Sequence, residues 1–318
     1  MRFLKSVEYL QLQNFVNFTL PLSLPTTVHQ APHHPEWDPN KKGYLPADAV
    51  WFITGCSQGI GRALCNLVLS KGHRLVATAR NPTTGLSYLP ESTPSSQLLK
   101  LPLDVTSRFS IDTALDASIT HFGRLDVVVN NAGMFMYGNT ENTDEADGRA
   151  VFETNSWGPM TITRRAVGIM RDVNPKSPSC DGAQGGVILN VTSIGGRVAV
   201  AGAAFYEASK VGLEAFTECM AQELKPEWNV HLSCIQPGAV RTGLIAGRKR
   251  IDEHAAYEGF EGIFQAVDRY FDDPQSPERW TTPEDMAAGI YETVRSGEDI
   301  PRRVPLGQDS WSMLRAEP

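Results

Sequence analysis

The 318-residue sequence has no apolar run as long as the roughly 18 residues that a membrane-spanning helix requires. Near the N-terminus, Gln11, Gln13 and Asn14 interrupt any signal-peptide core, which leaves open only a weak association of this leader with a membrane. The five cysteines form no C-x-x-C pair and have no histidine at metal-ligand spacing. Because scattered thiols are typical of a reducing compartment, we expect a cytoplasmic protein without a metal site.

Basic residues are outnumbered, with 29 Lys and Arg against 36 Asp and Glu. The formal net charge is −7 at pH 7, and no basic stripe offsets it. Domains that bind nucleic acid need such a stripe to meet the phosphates, so we expect no nucleic-acid partner.

We assign residues 1–46 to an irregular, proline-rich leader, after which the hydrophobic pattern of the sequence becomes regular. Short apolar runs then alternate with stretches of helical periodicity. The runs are Val50–Thr54, Leu75–Ala79, Leu98–Leu103, Asp126–Asn130, Val187–Thr192 and His231–Ile235, and the periodic stretches are Ile60–Ser70, Ile111–Phe122, Ala146–Met170 and Tyr206–Leu224. Strands that are apolar throughout predict a parallel sheet with helices on both faces. We therefore predict one doubly wound, Rossmann-like α/β domain over residues 47–300.

Three segments depart from this rhythm. Residues 172–186 are rich in proline and glycine and predict a surface loop. Residues 243–283 contain six aromatic residues and no obvious strand, which favours a lid over the substrate. Residues 301–318 are predicted to form a C-terminal tail.

A glycine-rich turn follows the first apolar run, with Gly55, Gly59 and Gly61 in the spacing Gly-x-x-x-Gly-x-Gly. Such a strand–turn–helix element brings the backbone close to a pyrophosphate and directs a helix N-terminus at its charge. Its position between a predicted strand and a predicted helix is the context that this motif requires.

Tyr206 and Lys210 are one helical turn apart, thirteen residues after Ser193. A free tyrosine has a pKa near ~10, and a neighbouring cation favours its ionised form. The pair therefore predicts a general acid and base for a hydroxyl or carbonyl group. The spacing alone is common by chance, and two residues on a solvated helix face would show it too.

Together, the turn and the Tyr-Lys pair resemble the short-chain dehydrogenase/reductase superfamily over about residues 48–242. Further motifs stand where that superfamily has them: Asp104-Val105, Asn130-Asn131-Ala132-Gly133, Asn155, and Pro237-Gly238 with Thr242. The resemblance implies an oxidoreductase that transfers hydride between a nicotinamide and a carbonyl or secondary alcohol.

The resemblance also implies roles for individual residues. Tyr206 would exchange the proton, Ser193 would bind the substrate oxygen, and Lys210 would hold the nicotinamide ribose. Asn155 would anchor a water that resupplies protons. The implied cofactor-binding residues are Gly55, Ser57, Gln58, Gly59, Ile60, Gly61, Arg80, Asp104, Val105, Asn131, Ala132, Gly133, Tyr206, Lys210, Pro237, Gly238, Val240 and Thr242.

The type of nicotinamide cofactor depends on the end of the second apolar run. NAD-preferring enzymes place a carboxylate there for the ribose 2′-hydroxyl, whereas this chain has Ala79 followed by Arg80. A guanidinium suits a 2′-phosphate, so we predict NADP(H) rather than NAD(H). The alternative is that Arg80 only solvates the strand end.

The sequence constrains the substrate less. Met134, Phe135, Met136, Tyr137 and Phe205 lie near the motifs and, with residues 243–283, predict an apolar pocket, although core packing would explain many of them as well. We predict reduction of a bulky ketone or aldehyde, in secondary metabolism by analogy. The alternatives are a dehydrogenase for a steroid, retinoid or polyol alcohol and a non-redox or cofactor-sensing relative. By resemblance we expect a homodimer or homotetramer formed through the helices that carry Asn155 and Tyr206.

Overall fold

A computed structural model of the protein describes residues 45–176, 185–259, 262–295 and 300–316. Seven parallel strands form one sheet in the order β3-β2-β1-β4-β6-β7-β9. These strands are β1 (Val50–Ile53), β2 (Arg74–Ala79), β3 (Leu98–Pro102), β4 (Val127–Asn130), β6 (Gly186–Val191), β7 (Val230–Pro237) and β9 (Arg303–Leu306). A separate parallel pair joins β5 (Met136–Tyr137) to β8 (Lys249–Arg250).

Helices cover both faces of the sheet. The helices are α1 (Gly59–Ser70), α2 (Pro82–Gly85), α3 (Arg108–Phe122), α4 (Glu145–Phe152), α5 (Gly158–Asp172), α6 (Ala204–Glu223), α7 (Gly243–Ala246), α8 (Ile263–Asp272), α9 (Pro283–Arg295) and α10 (Gln308–Ala316). Trp51 and Ile53 of β1 join a core with α1 and α9, whereas Val50 and Phe52 join a core with α3 and α5. Alternate residues of one strand thus fill two cores, and each large apolar side chain buried there contributes about 1.5–3 kcal/mol. The predicted doubly wound α/β fold is confirmed.

The predicted helix Ala146–Met170 is interrupted. A π-helical turn, Glu153–Trp157, separates α4 from α5. Pro159 has no N–H to donate to the carbonyl of Asn155, which is the bond that an uninterrupted α-helix would form there. Helical periodicity continues through this turn, so only the proline signalled the break.

The predicted C-terminal tail needs correction, because residues 303–306 form β9 and pair in parallel with β7. The four residues of β9 are half-buried. Because they include Arg303 and Pro305, they lack the continuous apolar run from which a strand is predicted. Residues 243–283 likewise contain the short strand β8. Residues 1–44 of the predicted leader and residues 177–184 of the predicted loop lie outside the described residues.

Among the described residues, none of the helices has both the length and the apolar character needed to cross a bilayer. The same ranges contain no group of three or more His, Cys, Asp or Glu side chains suited to hold a metal ion.

Candidate active site

The glycine-rich turn between β1 and α1 is held by a side chain from the neighbouring strand. Gly55 and Gly59 have φ angles of 69° and 55°, which L side chains rarely adopt. The Nδ2 atom of Asn131, just after β4, donates to the carbonyls of Thr54 at 2.8 Å and of Gly55 at 3.1 Å. A Cβ on Gly61 would lie 2.6 Å from that Nδ2 atom. Glycine at this position therefore lets Asn131 brace the turn.

The segment after β7 lies over the same turn. A Cβ on Gly59 would be 2.9 Å from Cγ2 of Thr242, and a Cβ on Gly243 would be 2.7 Å from Oε1 of Gln58. The Thr242 hydroxyl also accepts the N–H of Leu244 at 3.2 Å and so begins α7. Residues predicted to bind the pyrophosphate thus pack directly against residues predicted to lie beside the nicotinamide.

Ser193, Tyr206 and Lys210 come together at the carboxyl end of β6. Ser193 hydrogen-bonds the phenol of Tyr206. The Nζ atom of Lys210 donates to the carbonyl of Val191 at 2.9 Å and lies 5.7 Å from the centre of the Tyr206 ring. The three predicted catalytic side chains therefore share one wall, with a cation beside the phenol.

Asn155 lies behind this wall, in the π-helical turn. Its Oδ1 atom accepts the N–H of Met134 at 2.9 Å, and its Nδ2 atom donates to the carbonyl of Met134 at 3.0 Å and to the hydroxyl of Ser209 at 3.2 Å. A Cβ on Gly133 would lie 3.3 Å from Oδ1 of Asn155 and 3.7 Å from Nζ of Lys210. Asn155 thus joins the loop after β4 to α6, and its part in holding a water stays a prediction.

Burial dominates the acid–base behaviour of the pair. It raises the pKa of Tyr206 to about 12, against the opposing hydrogen bond from Ser193. Burial lowers the pKa of Lys210 to about 8, and the charge of Glu214 partly opposes this shift. The sequence predicts that Lys210 lowers the pKa of Tyr206. In the chain itself, burial is the largest effect, and the pKa of Tyr206 lies above its ordinary value. A second positive charge, such as that of an oxidised nicotinamide, would favour the phenolate.

Glu207 is a buried carboxyl in this wall that sequence analysis missed. Its Oε2 atom accepts the N–H of Val200 at 3.0 Å, and its Oε1 atom would lie 3.0 Å from a Cβ on Gly195. Burial raises the pKa of Glu207 to about 8. Its position directly after the predicted catalytic tyrosine was the only signal in the sequence.

One cavity of about 1350 Å³ contains the two ends of the predicted site. All of the predicted site residues line this cavity except Gly61 and Asn155. Gly61 lies beside the Asn131 side chain, and Asn155 hydrogen-bonds Met134; Asn131 and Met134 both line the cavity. The cavity is also lined by Gln308, Asp309, Ser312 and Met313 from α10, a helix within the predicted tail. The C-terminal segment thus reaches the same cavity as the predicted site residues.

Aromatic side chains form the wall around Tyr206. Phe135 meets the Tyr206 ring edge to face at 4.8 Å between centres and meets Phe271 in the same way at 5.7 Å. Tyr270 accepts the indole N–H of Trp280 at 2.8 Å. With Met134, these residues line the cavity, in agreement with the predicted apolar pocket.

Other predicted pocket residues have different positions. Met136 and Tyr137 form β5 and are buried, and the ring of Phe205 packs against Gly148 of α4. Phe260 and the side chain of Phe264 lie outside the described residues.

The far end of the cavity, after β2, contains Arg80. Its side chain is exposed and has no hydrogen bond or ion pair with the residues that the structure describes. Asp104 lines the same cavity, and two hydrogen bonds from Thr106, with a smaller effect of Arg80, lower the pKa of this carboxyl. Ala79, 5% exposed, presents no carboxylate.

Comparison with known proteins identifies the family to which the chain belongs. A family model described as short chain dehydrogenase matches residues 49–252. The chain belongs to the short-chain dehydrogenase family. It is therefore an oxidoreductase, and the resemblance read from its motifs is confirmed. Among curated members, the oxidoreductase calM of Penicillium decumbens is 38% identical over 284 residues, which are 87% of this chain and 90% of that protein.

Solved members of the family share the fold. A short-chain dehydrogenase from Streptomyces avermitilis is 31% identical and superposes with a TM-score of 0.71, over 84% of this chain and 92% of that one. A short-chain dehydrogenase/reductase from Burkholderia phymatum, solved in complex with NAD, is 21% identical with a TM-score of 0.68, over the same shares of the two chains. At that identity the second comparison supports the fold alone.

Proposed function

We propose that this short-chain dehydrogenase is an NADP(H)-dependent reductase of a bulky, apolar ketone or aldehyde. The observation that carries the proposal is the cavity itself. It joins Ser193, Tyr206 and Lys210 at one end to Arg80 at the other, and Arg80 has no hydrogen bond or ion pair with the residues that the structure describes. The cavity lies along the carboxyl ends of the parallel strands, which is where α/β sheets of this kind bind dinucleotides.

The proposed chemistry follows from the side chains. Ser193 donates a hydrogen bond to the carbonyl oxygen, where negative charge develops during reduction. Tyr206 gives its phenolic proton to that oxygen, and Lys210 stabilises the phenolate that remains. When bound, the nicotinamide supplies the hydride, so carbon gains the hydride and oxygen gains the proton. The aromatic wall at Phe135 and Phe271 excludes water and favours an apolar substrate.

The cofactor preference rests on charge. A 2′-phosphate near Arg80 would gain a charge-assisted hydrogen bond, whereas an NAD ribose would find no carboxylate at Ala79. We expect an Arg80→Glu protein to bind NADPH at least about tenfold more weakly, because a carboxylate repels the phosphate. Arg302→Glu is the matched control, since Arg302 precedes β9 and lies at the opposite, amino edge of the parallel sheet.

The test is NADPH consumption with a panel of aromatic and polycyclic aldehydes and ketones, repeated with NADH and in the reverse direction with the product alcohols. A reductase turns over at least one carbonyl compound, prefers NADPH, and loses that preference in Arg80→Glu but not in Arg302→Glu. Cofactor binding without turnover of any carbonyl or alcohol would instead indicate a cofactor-sensing relative. Equal NADPH affinity in the parent and Arg80→Glu proteins would overturn the cofactor assignment.

We further propose a homo-oligomer formed through the predicted helices. Support comes from two exposed apolar side chains on them, Trp157 at 58% and Val211 at 46% exposure. The molar mass of the protein from light scattering tests this, with a Trp157→Ser, Val211→Ser double variant expected to shift towards the monomer.

A further inference from the structure

The C-terminal helix α10 begins directly against the turn that follows β7. The Oδ2 atom of Asp309 accepts the N–H of Ala239 at 2.5 Å. On either side of that bond, Gly238 donates to the carbonyl of Leu306 at 3.0 Å, and the hydroxyl of Ser310 donates to the carbonyl of Gln236 at 3.0 Å. Three bonds from residues 306–310 thus clasp residues 236–239.

The clasped turn is a wall of the active-site cavity. Pro237, Gly238, Ala239 and Val240 line it, as does Asp309. The turn continues into Thr242, which packs against the glycine-rich turn. A displacement of residues 237–240 would therefore reach both the nicotinamide end of the site and its pyrophosphate end.

The carboxyl of Asp309 rests on the Cα of Gly238. A Cβ on Gly238 would overlap Oδ1 and Cγ of Asp309, although the φ angle of Gly238 lies outside the left-handed region. Asp309, rather than backbone conformation, thus excludes a side chain at position 238. Oδ1 of Asp309 is shielded from solvent and forms no well-aligned hydrogen bond with the described residues, although the backbone N–H groups of Asp309 and Ser310 lie close to the carboxyl. Burial also raises the pKa of Asp309.

A shielded carboxylate oxygen without a well-aligned donor costs stability. What the carboxyl adds is a strong acceptor that fixes Ala239. We propose that Asp309 is a positioning residue, which holds the Pro237–Val240 turn in the conformation that binds the dinucleotide, and that α10 is a working part of the cofactor site. This rests on the proposed function.

The test compares Asp309→Ala and Asp309→Asn in the full chain, with the NADPH dissociation constant measured by calorimetry in the absence of substrate. Alanine removes the acceptor for Ala239, so we expect about tenfold weaker binding, a change equivalent to about 1.4 kcal/mol. Asparagine retains an acceptor and should bind within about threefold of the parent. Trp311→Ala, on the same helix but 48% exposed and outside the cavity lining, is the control and should bind like the parent.

A second measurement is independent of the cofactor. Gly238→Ala should lower the melting temperature, and adding Asp309→Gly should restore part of it, because the overlap is removed. An Asp309→Ala protein that binds NADPH like the parent, or an asparagine variant as weak as alanine, would overturn the inference while leaving the proposed function intact. So would a double variant no more stable than Gly238→Ala. A parent protein that binds no nicotinamide dinucleotide would overturn the proposed function, and the assigned role of Asp309 with it.

Discussion

The Oε2 atom of Glu207 accepts the N–H of Val200 at 3.0 Å. Glu207 directly follows Tyr206, the residue predicted to transfer the proton. This bond ties the first turn of α6 to the segment that begins at Ser193. Because the carboxyl is buried and has no cation beside it within the described ranges, burial raises the pKa of Glu207 to about 8. The contact therefore couples the geometry of the catalytic wall to pH.

Replacement of Glu207 by Gln should flatten the dependence of stability on pH. The folded chain keeps the Glu207 proton up to about pH 8, whereas the unfolded chain releases it near its ordinary pKa of 4.5. Its contribution is thus fully present below pH 4.5 and lost as pH rises through 8, a change of at most about 5 kcal/mol. Melting temperatures from pH 5 to 9 should fall more steeply for the parent than for Glu207→Gln. Glu223→Gln, at an exposed position of the same helix, should follow the parent. Parallel curves for all three proteins would contradict the assignment.

Replacement of Tyr206 by Phe should remove the proton donor while leaving the cavity intact. We expect kcat to fall by about 10²–10⁴-fold, the usual contribution of general acid–base catalysis. NADPH affinity should fall far less than kcat, because only the hydroxyl of this cofactor-site residue is lost and the ring still packs against Phe135. The control, Tyr291→Phe, removes a buried hydroxyl that bonds His73 outside the cavity lining and should keep its turnover. Full activity in Tyr206→Phe would exclude the phenol as the acid.

Gly61→Ala should destabilise the glycine-rich turn. The new methyl group would overlap the carbonyl oxygen of Gly55 and lie 2.6 Å from Nδ2 of Asn131, so both the turn backbone and the Asn131 side chain that braces it must shift. We expect a loss of about 1–3 kcal/mol in unfolding free energy, together with weaker cofactor binding. Gly168→Ala, in α5, finds nothing within 4 Å and should stabilise the helix slightly. Urea denaturation of both variants measures this loss of stability. Equal unfolding midpoints for Gly61→Ala and Gly168→Ala would show that the turn is not braced as described.

Arg248→Ala should loosen the aromatic wall. The guanidinium of Arg248 bonds Oδ1 of Asp272 at 2.5 Å and lies 5.9 Å from the centre of the Phe271 ring, with only 9% of the side chain exposed. Its removal should raise KM for a bulky carbonyl severalfold and affect kcat less, because α8 loses its anchor. Arg250→Ala removes ion pairs to Asp268 and Asp272, but Arg250 is 53% exposed and should matter less. A KM effect that is larger for Arg250→Ala would contradict this account.

The sequence predicts those parts of the molecule where local pattern and tertiary environment agree. Runs that are apolar throughout, such as residues 127–129, are buried on both faces, so their boundaries differ from the observed strands by only one or two residues. The residues of the cofactor and catalytic motifs mostly line one cavity because most of them follow strands of the same parallel sheet, and Tyr206 and Lys210 reach that edge from α6.

The parts that the sequence did not predict depend on contacts distant along the chain. β9 has no apolar run and becomes a strand because the edge of β7 is open to it. Asp309 reaches Ala239 across seventy positions, and no local pattern indicates that contact. The shift in the pKa of Tyr206 likewise depends on burial, which spacing along a helix does not give.

Pro305 limits the backbone hydrogen bonds that the outer edge of the sheet can form with another strand. The carbonyls of Arg302 and Leu306 face β7, so the alternate residues 303 and 305 turn their backbone groups outwards. At residue 305 that outward group is a proline nitrogen without a hydrogen. A strand from another molecule would therefore find an incomplete ladder, and the edge of β9 resists the edge-to-edge joining by which exposed sheets aggregate.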